Sequence, residues 1–285
     1  MSVSAITRSV DVCSPNLVWR LAAMLDRDTG EFVDGMPLPR GWHPIFFNPP
    51  TAQSRLRDDG ATELGVPLPD VGLPRLMLGG RSQRFLGEIP IGARLRRESI
   101  PSEVVMKTGR SGPFAVVGVE HRIFVAESGE PAVIEQQQYI LRPAASADPT
   151  SPVPPASAPT PERQAREAVL ADKTEAFRTL LPDERMLFRY SAITDNPHRI
   201  HYDRDYSCQA ERYPDLVVNG TIPAMFLLEM FRQVAGHEPS AIDSRNLAPM
   251  YCNRPLSLSV NRDDGVFVLR AQDASGQICY EARAS

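Results

Sequence analysis

A proline-rich stretch in the middle of the chain constrains the fold more than any other feature. Residues 143–161 carry seven prolines among alanines, serines and threonines, and they show no periodic apolar pattern. Segments of this composition form extended, semi-rigid linkers that run over the surface. The sequence therefore predicts two domains of similar size, residues 1–142 and 162–285, joined by a linker over residues 143–161.

The two halves repeat the same order of predicted elements, with helical and loop segments first and strands after them. Residues 221–236 predict a helix that is apolar on nearly all its faces, so this helix should be buried. Alternation and turn residues predict strands over residues 76–85, 94–107, 114–126 and 132–141 in the first half, and 249–258, 265–273 and 277–283 in the second. This order indicates an α+β fold in which each half is a curved antiparallel sheet wrapped around a central helix.

Composition excludes several classes of function. A net charge of -4 argues against a general nucleic-acid binder. No apolar run approaches the roughly 18 residues of a membrane span, and the N-terminus lacks the apolar core of a secretory signal. No GxGxxG element indicates a nucleotide redox cofactor. We expect a cytoplasmic protein with no cofactor, no metal, no nucleic acid and no membrane partner; its oligomeric state stays open, a homodimer included.

The most informative segment for function is Asp-Asn-Pro-His-Arg-Ile-His-Tyr-Asp, residues 195–203. It holds two of the five histidines of the chain, and its Asn-Pro pair disfavours a helix interior. Acids, amides and imidazoles packed this closely can move protons and position water. Taken alone, Asp-Asn-Pro is also an ordinary turn. A metal site of His198, His201 and Asp203 is disfavoured, because no cysteine or further histidine supplies another ligand.

This segment resembles the hydratase motif of the MaoC-type hot-dog family, in which an Asp, any residue, Asn-Pro, any residue and a His follow one another. Residues 217–220, Val-Val-Asn-Gly, resemble the Val-His-Gly-like element that opens the central helix of that family. The His-Arg-Ile-His-Tyr-Asp form, together with Gly-Trp-His-Pro at 41–44 and Gly-Gly-Arg at 79–81, is similar to the type 2 hydroxyacyl-thioester dehydratases and to the mesaconyl-CoA and itaconyl-CoA hydratases. The resemblance implies a double hot-dog fold and a hydro-lyase.

The resemblance also implies catalytic roles for individual residues. His201 would transfer protons together with Asp195 or Asn196, and the Gly220 N–H would stabilise the enolate-like thioester oxygen. Two extra residues separate Asn-Pro from His201, so the sequence leaves open whether Asp195 or Asn196 holds the water. The histidine that usually precedes the glycine is Asn219 here, which can donate a hydrogen bond but cannot act as an acid.

The substrate would be an acyl-CoA thioester, and Arg199, His198, Asn219 and Arg81 are the predicted binding residues. A dicarboxylic acyl group needs a cation for its distal carboxylate, which Arg81 or Arg199 could supply. Hydration of itaconyl-CoA to citramalyl-CoA is the first expectation, with mesaconyl-CoA next. The alternatives are a 3-hydroxyacyl-thioester dehydratase of fatty-acid synthesis and a non-catalytic acyl-CoA-binding protein. The first half is expected to be non-catalytic. Asp203 would either fix the His201 tautomer or cap the next short helix.

Overall fold

The computed structural model describes residues 6–62, 68, 71–109, 112–126, 128–143 and 161–285. Contacts divide the chain into two compact units: unit 1 is Met1–Ala144 with Ile193–Asn196, and unit 2 is Ala145–Ala192 with Pro197–Ser285. The predicted linker lies outside the described residues except at its two ends, and Pro161 is already the first residue of a helix. Among the described helices, none is long and apolar enough to span a membrane.

Unit 1 contains an antiparallel sheet that α1 (Pro15–Met24) and three short 3₁₀ helices accompany. The strands are β1 (Thr7–Val12), β2 (Arg75–Phe85), β3 (Arg94–Pro101), β4 (Val105–Gly109), β5 (Gly112–Val125) and β6 (Val133–Arg142). Their order is β1-β3-β5-β6-β2, and β4 also pairs with β5. The single strand predicted over residues 94–107 is wrong: it is divided after Pro101, because proline has no N–H to donate to the ladder.

Unit 2 contains antiparallel strands with a long helix packed against them. The strands are β7 (Ala176–Leu180), β8 (Ala241–Asn246), β9 (Leu256–Asp263), β10 (Val266–Gln272) and β11 (Ile278–Ala284), in the order β8-β11-β10-β9-β7. The helices are α2 (Pro161–Lys173), α3 (Glu184–Ile193) and α4 (Thr221–Ala235). The predicted buried helix is confirmed as α4, which packs on β7, β9 and β10 and ends at Gly236 in the left-handed conformation.

The strand predicted over residues 249–258 is wrong, since β8 ends before this segment and β9 begins only at Leu256. The segment contains Pro249 and Pro255, which cannot donate to a ladder, and Asn253 with φ of 57°. An isolated bridge instead joins Tyr251 to Val217, in the loop that precedes α4. The segment therefore supports the loop on which the candidate site depends.

Candidate active site

His201 is buried at the end of a 3₁₀ helix, Arg199–His201, that follows α3. Its Nδ1–H donates a hydrogen bond of 2.7 Å to the carbonyl oxygen of Val217. The main chain reinforces this contact, because the Val217 N–H donates to the carbonyl of Ile200 at 2.9 Å. A carbonyl acceptor on Nδ1 fixes the tautomer, so Nε2 carries the lone pair that can accept a proton.

Burial lowers the pKa of His201 to about 4, although the hydrogen bond to Val217 opposes this shift; the nearby His198 adds to it. The two imidazole rings meet edge to face, with centroids 5.7 Å apart. At neutral pH the His201 ring is therefore uncharged. A neutral imidazole with a fixed tautomer can act as a general base without first losing a proton.

The loop before α4 connects the His201 site to the helix N-terminus. The Val218 N–H donates to the Met250 carbonyl at 2.8 Å, and the Cys252 N–H donates to the Leu216 carbonyl at 2.9 Å. The Asn219 side-chain oxygen accepts the Thr221 N–H at 3.0 Å, which satisfies one donor in the first turn of α4. The side-chain oxygen of Asn219 is therefore a hydrogen-bond acceptor for α4, and a ligand at this residue would bind to its amide N–H groups.

Gly220 has ordinary helical backbone angles, with φ of -60° and ψ of -17°, so no special conformation requires glycine here. A Cβ atom at this position would lie 2.5 Å from Oδ1 of Asn246 on β8 and 3.1 Å from its Cγ. A side chain at this position would therefore collide with the Asn246 amide. The role of the Gly220 N–H as an oxyanion donor stays a prediction.

Asp195 and Asn196 follow the end of α3 and differ in exposure. Asp195 is exposed and has φ of 45°, in the left-handed region that Asp and Asn tolerate better than most residues. Asn196 is half-buried. The contacts of both residues group them with unit 1, whereas His201 and Gly220 belong to unit 2. Which of the two holds the water stays a prediction.

Arg199 and Asp203 pair with each other. Arg199 donates from Nε and Nη2 to Oδ2 of Asp203, at 3.0 and 2.9 Å, and its guanidinium lies 4.1 Å from the ring centroid of Tyr206. The other Asp203 oxygen accepts the Tyr206 N–H at 3.0 Å. Asp203 therefore caps the helical turn at Tyr206–Ala210, while Val217 holds the His201 tautomer. Within the described part of the chain, no three His, Cys, Asp or Glu residues are grouped to hold a metal.

Unit 1 contains a cluster of buried and half-buried polar residues, of which the sequence indicated only Arg81. We call it the polar band: Arg81, Gln83, Arg97, Ser99, His121, Glu135, Gln137 and Tyr139. These residues share one face of the sheet, since Gln83 pairs with Glu135 and His121 pairs with both Glu135 and Ser99 across the strands. The signal in the sequence was the polar run at residues 135–138 in the middle of β6, which is unusual for a strand with a buried face.

Glu135 lies at the centre of the polar band and is almost fully buried. Its Oε2 accepts hydrogen bonds from Nε2 of His43 at 2.9 Å and from Nε2 of Gln83 at 2.6 Å. Its Oε1 accepts from Gln137 and forms an ion pair with Arg81, whose Nε is 3.9 Å away. Burial acts to raise the pKa of Glu135, but Arg81 and His43 hold that pKa well below its ordinary value. The carboxylate is therefore ionised.

This chain is similar in sequence to a known enzyme family and to individual members of it. The family model for hydroxyacyl-thioester dehydratase type 2 matches residues 41–252. The mesaconyl-C(4)-CoA hydratase of Chloroflexus aurantiacus is 35% identical over 273 residues, which cover 95% of this chain and 91% of that protein. The mitochondrial hydroxyacyl-thioester dehydratase type 2 of Schizosaccharomyces pombe is 33% identical over 92 residues, 31% of each chain.

Solved structures of low sequence identity share the fold. HtdX of Mycobacterium tuberculosis superposes with a TM-score of 0.64 at 14% identity, covering 97% of this chain and 98% of that one. A MaoC-like dehydratase from Phytophthora capsici gives 0.67 at 12% identity, with coverage of 99% and 95%. A Mycobacterium tuberculosis protein described as a double hot-dog gives 0.60 at 11% identity, with coverage of 100% and 96%. The fold is the α+β double hot-dog, and the chain belongs to the hydroxyacyl-thioester dehydratase type 2 family of hydro-lyases.

Proposed function

We propose that the protein reversibly hydrates a short dicarboxylic enoyl-CoA thioester. The observation that carries the proposal is the buried, neutral His201, whose ring is fixed by Val217, four residues before the start of α4. The hydratase of Chloroflexus aurantiacus, similar over nearly the whole chain, supports mesaconyl-C(4)-CoA as the first substrate to test. Itaconyl-CoA, the first expectation from the sequence, is the second substrate to test.

The reaction adds water across the double bond next to the thioester. Nε2 of His201 takes a proton from water while the oxygen bonds to the β-carbon, and the electrons of the double bond move toward the thioester oxygen. The enolate then collapses and the α-carbon takes up the proton that His201 received. The reverse sequence is dehydration, so a single neutral imidazole serves both directions.

The enolate oxygen needs hydrogen-bond donors in the transition state. The first turn of α4 offers N–H groups that have no partner within the helix, and the positive end of the helix dipole lies there. Asn219 already satisfies the Thr221 N–H, which leaves the Gly220 N–H as the predicted donor. Donors fixed before the reaction stabilise the developing charge without reorganisation.

The attacking water needs a second contact besides His201. Of the two predicted residues, we favour Asn196 because it is half-buried, whereas the exposed Asp195 has a backbone conformation that ends α3. An amide can accept a hydrogen bond from the water and orient it, while His201 supplies the basicity. Substitution of each residue in turn separates these assignments.

The proposal is tested by loss of enoyl-thioester absorbance with the purified protein. Mesaconyl-C(4)-CoA, itaconyl-CoA and crotonyl-CoA are compared, and we expect a dicarboxylic thioester to be hydrated fastest. The dehydratase alternative predicts instead that long 3-hydroxyacyl thioesters turn over best. The binding-protein alternative predicts saturable binding without turnover. Failure to hydrate any enoyl-CoA would overturn the proposal.

A further inference from the structure

Arg254 is a half-buried arginine of unit 2, and one of its donors is left unpaired. Its Nε is buried and makes no hydrogen bond within the described part of the chain. Arg199 and Arg204 of the same unit instead donate through Nε and Nη2 to carboxylates. Taking a polar group out of water is costly unless a partner replaces the water, so Arg254 retains a donor for a ligand.

Two tyrosine rings accompany the Arg254 guanidinium. Its Cζ lies over the ring of Tyr251, 5.0 Å from the centroid, and the rings of Tyr251 and Tyr213 have centroids 6.4 Å apart. Such a contact holds the cation through the ring electrons and leaves its N–H donors for other partners. Burial raises the pKa of Tyr251 to about 12, and Tyr213 adds to this shift while Arg254 opposes it. The Tyr251 hydroxyl therefore stays protonated at neutral pH and can donate a hydrogen bond.

The acidic side chains beside this segment are already bound by other residues. Oε1 of Glu184 accepts hydrogen bonds from Nη2 of Arg204 at 3.1 Å and from Nδ2 of Asn253 at 2.8 Å. Oδ1 of Asp215 accepts from Nε of Arg204 at 2.8 Å. Neither of these two carboxylates supplies the partner that Nε of Arg254 lacks. An anion from solution can therefore take that place.

Arg254 belongs to the segment that supports the loop of the candidate active site. Its N–H donates to the carbonyl of Tyr251 at 3.3 Å, and Tyr251 is joined to Val217 by an isolated bridge. The carbonyl of Val217 accepts Nδ1–H of His201 at 2.7 Å. Arg254 and His201 are therefore connected through two residues, and all four belong to unit 2. The separation of the two side chains is set within this one unit.

We propose that Arg254 binds a phosphate group of the CoA part of the substrate. CoA carries a 3′-phosphate and a diphosphate, and a planar guanidinium binds the oxygens of either with paired N–H donors. The pantetheine arm separates these phosphates from the reacting double bond, so a phosphate site belongs apart from His201 but on the same unit. This inference rests on the proposed function, because it assigns a residue that holds the CoA thioester.

The first test measures binding of saturated thioesters, which cannot be hydrated, so its outcome does not depend on turnover. Dissociation constants of butyryl-CoA and of butyryl-pantetheine, which has no phosphate, are compared by calorimetry in wild type and in Arg254→Met. We expect the variant to bind butyryl-CoA on the order of 10-fold more weakly, since a charge-assisted hydrogen bond is lost, and to bind butyryl-pantetheine as wild type does. Unchanged affinity for butyryl-CoA, or equal weakening of both ligands, overturns the phosphate site.

The matched control is Arg262→Met, on β9 of the same unit. Arg262 also lies over an aromatic ring, that of Phe267 at 4.5 Å, but it has an acidic partner in Glu175, 3.7 Å from its Nε. We expect this variant to bind both ligands as wild type does. Arg254→Lys keeps the charge without the planar fork, and we expect it to recover part of the affinity for butyryl-CoA. A loss in Arg262→Met as large as that in Arg254→Met overturns the assignment to Arg254.

The second test identifies the phosphate with butyryl-dephospho-CoA, which lacks the 3′-phosphate and keeps the diphosphate. If Arg254 binds the 3′-phosphate, wild type and Arg254→Met should bind this ligand equally. If Arg254 binds the diphosphate, the loss in the variant should persist with this ligand. A loss that persists with butyryl-pantetheine as well overturns the site. Binding of butyryl-CoA that depends on Arg254 supports the site even where no enoyl-CoA is hydrated, and that result contradicts only the proposed function.

Discussion

His43 in unit 1 and His201 in unit 2 are both buried histidines on 3₁₀ helices, and their partners differ. The helix of His43 comes after α1, and the helix of His201 comes after α3. Nε2 of His43 donates to the carboxylate of Glu135, whereas Nδ1 of His201 donates to the carbonyl of Val217. Because its partner is the carboxylate of Glu135, His43 belongs to a network that also contains Gln83 and Arg81. The ring of His201 is neutral because burial lowers its pKa to about 4, and the Val217 carbonyl on Nδ1 leaves the lone pair on Nε2.

Two buried histidines therefore differ in the chemistry of their partners. The His43–Glu135 pair makes further contacts, a hydrogen bond from Gln83 and an ion pair with Arg81. Removing one member of this network therefore leaves the other members without a partner. The ring of His201 donates to the main-chain carbonyl of Val217, and its pKa is lowered chiefly by burial. We therefore expect substitutions near His43 to affect stability and substitutions of His201 to affect catalysis.

The largest expected effect is that of His201→Ala on turnover. Loss of the general base should lower kcat by about 1000-fold, within the range typical of proton-transfer residues, with little change in urea stability. The exposed His237→Ala is the control and should keep the wild-type rate. A His201→Ala variant with wild-type kcat would remove His201 from the mechanism.

The next effect is that of Glu135→Gln on stability. The substitution removes a buried charge that Arg81 and His43 balance, and we expect the free energy of unfolding at pH 7 to fall by about 3 kcal/mol. The pKa of Glu135 is depressed in the folded state, so its contribution is complete above the ordinary value of 4.5 and is lost as the pH falls through the folded pKa. The difference in free energy of unfolding between wild type and Glu135→Gln, measured with urea, should therefore shrink in strong acid.

The matched control for Glu135→Gln is Glu120→Gln, on the neighbouring strand β5. Glu120 accepts hydrogen bonds from Arg122 and Gln136 near the surface, and we expect its substitution to change stability by less than about 0.5 kcal/mol. Equal effects of the two substitutions would contradict the network role assigned to Glu135.

A smaller effect is expected for Gly220→Ala in unit 2. The new methyl group would meet the Asn246 amide, and overpacking of this kind costs about 2 kcal/mol. Because the backbone angles of Gly220 suit any residue, the double variant Gly220→Ala with Asn246→Ala should recover most of the loss in thermal unfolding. No recovery would show that glycine is needed for a reason other than Asn246.

A still smaller loss of stability is expected for Asp195→Ala, which places alanine at a φ of 45°. We expect a loss of about 1 kcal/mol, and Asp195→Gly should avoid it because glycine adopts this conformation without strain. Activity measured in Asp195→Gly and Asn196→Ala then tests the water-binding role. We expect the larger loss in Asn196→Ala, and the opposite order would assign the water to Asp195.

Local patterns allowed much of the fold to be predicted. The apolar run of α4 and the alternation along β2, β5, β6 and β10 identify these elements within a few residues. The strands β1, β7 and β8 and the helix α2 were missed, because short or polar segments carry little periodic signal. The false strand over residues 249–258 shows that apolar residues between two prolines need not join a ladder.

The candidate site was predictable where its chemistry is local in sequence. His201 and Gly220 stand in short motifs, but the acceptor that fixes the His201 ring is the carbonyl of Val217, and any residue could supply it. The polar band is assembled from β2, β3, β5 and β6, and Gln83 and Glu135 are 52 residues apart. Only strand pairing brings such residues together, so the network that they form is visible in the structure but not in the sequence.

The pH dependence of kcat/KM on mesaconyl-C(4)-CoA tests most directly whether His201 acts as a buried, neutral base. Lowering the pH should leave kcat/KM unchanged through the ordinary histidine value of 6.5, because the folded pKa of His201 is about 4. The rate should fall only when the ring becomes protonated near that lower value, since kcat/KM reports the essential groups of the free enzyme. An acid limb centred near pH 6.5 would contradict the account.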